Sequence, residues 1–215
     1  MKCLYLAWKD LKGEFRTKQM LNSMLLLALL IILIFSFAFQ YLGNVKQYTS
    51  GVLWTTIIFA SILGLSRSFA LEKEQSCLEG LKLCPVERST IYYGKTLSNF
   101  SLVLIMELII IPLMIIFNFN LPIIELIPFI LLGTVGLVAA GTLLSALAMN
   151  TKLREMLLPV ILLPILLPLL VTAVTASTKL INGDLNVTHE LRLLIIYDII
   201  FLIFSHFSFE YIIED

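Results

Sequence analysis

Leu21-Asn-Ser-Met-Leu-Leu-Leu-Ala-Leu-Leu-Ile-Ile-Leu-Ile-Phe-Ser-Phe-Ala-Phe-Gln-Tyr41 runs from residue 21 to residue 41 without a charge. At 1.5 Å per residue, about 20 such residues in a helix cross the roughly 30 Å hydrocarbon core of a bilayer. Five further long apolar stretches follow, at about 50–70, 97–117, 122–148, 156–176 and 191–213. The fold class is therefore all-α: a polytopic membrane protein with six transmembrane helices. The 21–41 stretch reads as a retained helix rather than a signal peptide. Its core is too long, a polar or amphipathic segment precedes it, and no small-x-small cleavage pattern follows.

The placement of the fifteen Lys and Arg orients the bundle. Twelve fall on one side of the implied membrane: Lys2, Lys9, Lys12, Arg16, Lys18, Arg67, Lys73, Lys82, Arg88, Lys95, Lys152 and Arg154. Only Lys46, Lys179 and Arg192 fall on the other. Cytoplasmic loops retain Lys and Arg, so the basic side is expected in the cytoplasm, with both termini there and a plasma membrane as the location. The acidic tail Glu210, Glu214 and Asp215 does not oppose this, because acids weigh little in the rule. An organelle inner membrane is the alternative.

Composition excludes several classes. The chain is 59% apolar, with a mean hydropathy of +0.97. Fifteen basic and fifteen acidic residues cancel, so no basic excess points to nucleic acid. No polar segment exceeds about thirty residues, and a soluble domain needs roughly 50. Residues 1–215 are expected to form one membrane domain, and any energy-supplying subunit belongs to another polypeptide. Cys3, Cys77 and Cys84 all lie in segments assigned to the reducing cytoplasm, where a disulfide is not expected, and the Cys77–Cys84 spacing matches no common metal motif.

Residues 3–19 place Leu4, Trp8, Leu11 and Phe15 on one face of a helix. Within a segment 1–20, this predicts an amphipathic elbow helix in the headgroup plane, with Trp8 and Phe15 dipping toward lipid and the lysines near phosphates. An ordinary solvated helix packed on a partner would show the same spacing. In the fourth span, Gly133, Gly136, Ala139, Ala140, Gly141 and Ser145 allow close helix approach, within the bundle or across a dimer. Pro128 is expected to tilt or break that span near its outer end. Pro159, Pro164 and Pro168 in the fifth span each remove a backbone donor. They make it a candidate moving element rather than a straight rod. The 118–121 link requires a tight hairpin, and Asn182-Gly183-Asp184 marks a turn in the 177–190 outer loop.

The 67–96 segment is the only long loop on the basic side. Within 69–86, Leu78 and Leu81 lie three apart among Glu72, Lys73, Glu74, Glu79 and Lys82, and Pro85 ends the run. This spacing predicts a short amphipathic helix suited to docking in a groove of another protein, or to lying on the lipid surface.

That segment resembles the coupling-helix region of type-2 ABC transporter permeases. More closely, the chain resembles the haem exporter B (CcmB) family of cytochrome c maturation. The matching features are Gly51-Val-Leu-Trp54; Phe69; the acidic pair Glu72 and Glu74; Leu78-Glu79-Gly80-Leu81; Pro85 and Lys95; Pro112; Leu132-Gly133-Thr134; and Pro164-x-x-x-Pro168. Together they cover nearly the whole chain. Cys77 and Cys84 stand where the family usually has small residues, and glutamates replace its usual aspartates.

The resemblance implies a non-catalytic half-transporter. Two copies would pair with two ATPase subunits that carry the ATP. Phe69, Glu72, Glu74, Leu78, Glu79, Leu81 and Pro85 would couple to those ATPases, while Gly133, Gly141, Pro164 and Pro168 would serve packing or gating. Further partners would be a WWD-type haem-handling membrane protein and a haem chaperone. Haem would be the transported or partner-held ligand. The WWD signature itself is absent: the two tryptophans are Trp8 and Trp54.

Three other classes compete. An ABC-2-type exporter permease for lipid, drug or polysaccharide shares the loop argument. A proton-coupled carrier would rest on Glu107 and Asp198, acids inside the third and sixth spans, since such residues mark ion paths or hydrogen-bonded interior positions. Glu125 lies near the outer boundary. An intramembrane enzyme lacks any Ser/His, HExxH or paired-carboxylate arrangement. His189 and His206 are the only histidines. His can ligate haem iron, but no metal constellation surrounds either.

Overall fold

The computed structural model of the chain describes residues 2–39, 46–68, 88–119, 121–148 and 154–212. The described residues form helices only: α1 (Lys2–Thr17), α2 (Gln19–Phe39), α3 (Lys46–Ser68), α4 (Arg88–Ile116), α5 (Ile123–Ala148), α6 (Arg154–Ile181) and α7 (Thr188–Ile212). Six of them, α2 to α7, contain stretches long and apolar enough to cross a membrane.

Helix α5 sits at the centre, packed on α3, α4, α6 and α7. Helix α2 lies against α3 and α4, and α1 docks mainly on α4. One apolar cluster joins α2 through α7, including Ile32, Trp54, Ile57, Met106, Ile110, Leu137, Leu162 and Leu194. The opposite faces expose Leu26, Ile34 and Phe37 on α2, and Ile199, Ile203 and Phe207 on α7. Large apolar side chains turned outward in this number suit lipid, not water.

The helix ends are closed by local chemistry. Lys18, at φ 53°, lets its amide bond the Glu14 carbonyl at 2.5 Å, an αL cap that ends α1. One residue later α2 begins, and its Leu21 amide donates to Glu14 Oε1 at 3.0 Å. A carboxylate there satisfies an orphan amide at the positive end of the helix dipole. Asn118, at φ 64°, closes α4: its amide reaches Ile115 O, and that of Phe119 reaches Met114 O, both at 3.0 Å. Gly183, at φ 85°, closes α6 in the same way through Leu180 O and Lys179 O. These are Schellman caps, and they end the two helices that turn back into α5 and α7.

Several expectations are corrected. The helices run beyond the apolar stretches: α3 starts at Lys46, α4 at Arg88, and α6 ends at Ile181. Two polar contacts join α3 to α6 and α6 to α7 at these ends. Ser50 Oγ lies 2.5 Å from Thr178 Oγ1, and Lys179 Nζ lies 2.7 Å from Glu190 Oε1. The outer loop expected over 177–190 therefore shrinks to the turn between α6 and α7. The break that was one of the two outcomes expected at Pro128 does not occur, since α5 is continuous through it, and Pro159, Pro164 and Pro168 lie within α6.

Helix α1 turns Leu4, Trp8 and Phe15 outward as its spacing predicts, but Leu11 is half-buried against the small apolar cluster formed by Met20, Leu21 and Leu102.

Candidate functional site

Residues 69–86 lie outside the described residues, and with them Phe69, Glu72, Glu74, Leu78, Glu79, Leu81 and Pro85. The structure does describe their root. Ser68 is the last residue of α3, and a buried polar network surrounds it. Lys95 Nζ donates to the Ser68 carbonyl at 3.4 Å and pairs with Asp10 Oδ2 at 2.9 Å. Ser68 Oγ donates to Asn99 Oδ1 at 2.8 Å, and Asn99 Nδ2 donates to Thr142 Oγ1 at 3.0 Å. One turn earlier, Ser145 Oγ donates to the Leu65 carbonyl at 2.7 Å.

The network thus ties α1, α3, α4 and α5 at one end of the bundle. Donors from Lys95 and Ser145 meet carbonyls of the last described turn of α3, where a cation also suits the helix dipole. Lys95 counts as a loop residue in the sequence pattern. The structure places it inside α4, only 6% exposed, and the Asp10 carboxylate is what makes that burial tolerable.

A second polar layer lies deeper. Trp54, fully buried, donates from Nε1 to Ser177 Oγ at 2.9 Å. The benzo edge of its ring packs against Gly133, where an added Cβ would overlap Cη2 and Cζ3. The glycine is therefore required by the close approach of α3 and α5. At Gly141 an added Cβ would meet the tip of Leu65, whose flexible side chain has to shift, while Leu162 stays at ordinary contact distance. Gly136 opens the space occupied by the Asp198 carboxylate and Leu169. The small residues of α5 are all buried within the bundle, which answers the choice between bundle and dimer left open by the sequence. Gly51, first in the Gly51-Val-Leu-Trp54 series, has nothing within 4 Å of its missing Cβ.

Glu107 is 2% exposed, and its Oε1 accepts from Thr134 Oγ1 at 2.6 Å. Its Oε2, and both oxygens of Asp198, have no hydrogen-bond partner among the described residues. The two acids use different partners on α5, Thr134 and the gap at Gly136, and do not form a pair. Pro164 and Pro168 lie in α6, where Tyr197 of α7 donates to the Ile165 carbonyl at 3.1 Å. Pro168 removes the helical donor of the Pro164 carbonyl, and the tyrosine bonds the carbonyl next to it. His206 stacks on Tyr93, with Nδ1 3.2 Å from its hydroxyl. His189 is exposed at the start of α7, and Glu125 is exposed in the first turn of α5. No group of three metal-ligating side chains exists among the described residues.

Of the root network only Lys95 and, as a small residue, Ser145 were singled out in the sequence; Asp10, Ser68, Asn99 and Thr142, with Glu14, Ser177 and Tyr197, escaped the pattern. Their only signal there is a polar side chain adjoining an apolar run.

Six long apolar helices around a small-residue centre, with a polar clamp at one end, define a polytopic helical membrane protein. The chain belongs to the CcmB family: the model described as CcmB protein matches residues 1–214. It is also similar to heme exporter protein B of Rhodobacter capsulatus, 30% identical over 128 residues. That match covers 58% of this chain and 58% of the relative, so it spans little more than half of the relative's length.

Proposed function

We propose that this chain is the membrane permease subunit of an ABC complex for cytochrome c maturation. In this reading, two copies pair with two separate ATPase subunits, and a haem-handling membrane protein and a haem chaperone complete the assembly. ATP hydrolysis on the partner drives export of haem, or release of haem-loaded chaperone, on the outer side. The observation that carries the reading is family membership across residues 1–214. The clamp around Ser68 supports the coupling role of 69–86. A helix docked in an ATPase groove moves the bundle only if its attachment is stiff, and Ser68 is held from α4, which is itself fastened to α1 and α5.

The test has two arms. The tagged protein, extracted in mild detergent, is expected to bring down a small soluble ATPase and a WWD-type membrane protein, identified by mass spectrometry. An ATPase alone, in cells whose c-type cytochromes keep their covalent haem when this chain is deleted, turns the assignment toward an exporter of another substrate. In the complex, Leu78→Asp, or charge reversal at Glu74 or Glu79, is expected to uncouple ATP hydrolysis while the protein still inserts. Intact ATP-dependent function in those variants rejects the coupling role.

A further inference from the structure

The charges of α1 are sorted by face. Its two acids are used by the protein: Asp10 lies against Lys95, and Glu14 caps α2. Its outward bases Lys9, Lys12 and Arg16 recur at i, i+3 and i+7 in one stripe, all exposed. Lys9 is partly compensated by Asp10 at 3.3 Å. Lys12 and Arg16 have no ion pair among the described residues. Like charges three and four residues apart repel on a helix, so this stripe is stabilised by an anion placed between them.

Space for one exists. Tyr5, Trp8, Lys9, Lys12, Gly13 and Arg16 line a cavity of about 480 Å³. Gly13 leaves its floor open, with nothing within 4 Å of a Cβ there. The surroundings decide which anion. Trp8 and Phe15 are 67% and 51% exposed on the same helix, and one residue after α1 the chain enters its first membrane span. An aromatic flank beside a basic stripe at the hydrocarbon boundary fits a ligand with a phosphate head and an apolar tail.

We propose that this cavity binds the headgroup of an anionic phospholipid, with the phosphate between Lys12 and Arg16 and the acyl chains along Trp8 and Phe15. The inference is independent of the transported substrate and of any ATPase partner.

Trp8 reports on the site directly, because the chain's one other tryptophan, Trp54, is fully buried. The full chain is reconstituted in phosphatidylcholine nanodiscs containing a few mole per cent of brominated phosphatidylglycerol or, separately, brominated phosphatidylcholine. Saturable quenching by the anionic lipid is expected at mole fractions where the neutral one has little effect, and it should vanish in Trp8→Phe. Each basic residue near an anionic surface contributes enough that Lys12→Gln/Arg16→Gln should weaken the apparent affinity about tenfold or more. Both side chains are exposed, so the variant keeps its fold, which circular dichroism checks. Gly13→Leu, which fills the floor, should reduce quenching without changing the charge. Equal quenching by the two lipids overturns the proposal, as does quenching unaffected by the double variant. Competition by millimolar inorganic phosphate would identify a free-anion site and overturn the lipid assignment.

Discussion

The Lys95 ammonium lies 2.9 Å from the Asp10 carboxylate, with the two side chains 8% and 16% exposed. This pair fastens α1 to α4 directly beneath the root of the 69–86 segment. Lys95→Met is expected to lower stability in detergent by about 2 kcal/mol, the usual worth of a hydrogen bond to a charged group. Asp10→Leu added to Lys95→Met should recover part of that loss, because removing both partners leaves no stranded charge. Thermal unfolding of the single and double variants measures the coupling, and strictly additive losses would show that the pair contributes nothing.

Gly133 and Gly51 make a matched contrast. Gly133→Ala drives a methyl into the Trp54 ring, which is held in place by Ser177. Overpacking of this kind costs about 1–3 kcal/mol, and the shift should be visible in the unfolding midpoint. Gly51→Ala meets open space, and lipid keeps helices formed before they associate. Its midpoint should stay at the wild-type value.

Glu107 offers a test of the carrier alternative. Glu107→Gln retains an oxygen to accept from Thr134 and removes any charge from the middle of the span. Expression, stability and transport should all survive it. Glu107→Leu removes one of the two acceptors of the Thr134 hydroxyl, which keeps its bond to the Ile130 carbonyl, and should cost about 0.6 kcal/mol, the average for an interhelical hydrogen bond in a membrane. Transport abolished by Glu107→Gln in a well-folded protein would revive the proton-coupled reading.

Tyr197→Phe removes the interhelical hydrogen bond to the Ile165 carbonyl in the proline-rich helix α6. A loss of about 0.6 kcal/mol is expected. Faster hydrogen exchange in 160–169 than elsewhere in α6 should accompany it, and unchanged exchange would show that the tyrosine does not brace this helix.

Much of the architecture was legible along the chain. Six long apolar stretches announced six spans, Asn182-Gly183-Asp184 announced its turn, and the small residues of α5 announced a tightly packed helix. The boundaries were less legible, because Lys95, Ser177, Thr178 and Lys179 look like loop residues until their partners are known. The side chains expected to meet an ATPase, Phe69 to Pro85, lie outside the described residues, so the structure speaks to that site only through its root at Ser68.

Hydropathy determined from the sequence alone that six segments leave water, and the run of short motifs pointed to the family. Neither could say which face of each helix meets protein and which meets lipid. A lipid tail and a leucine side chain are equally apolar, so no pattern of hydrophobicity separates them. Tertiary packing made that choice through shape and hydrogen bonds. It set Gly133 against Trp54 and Asp10 against Lys95, and it left Trp8, Lys12 and Arg16 facing outward.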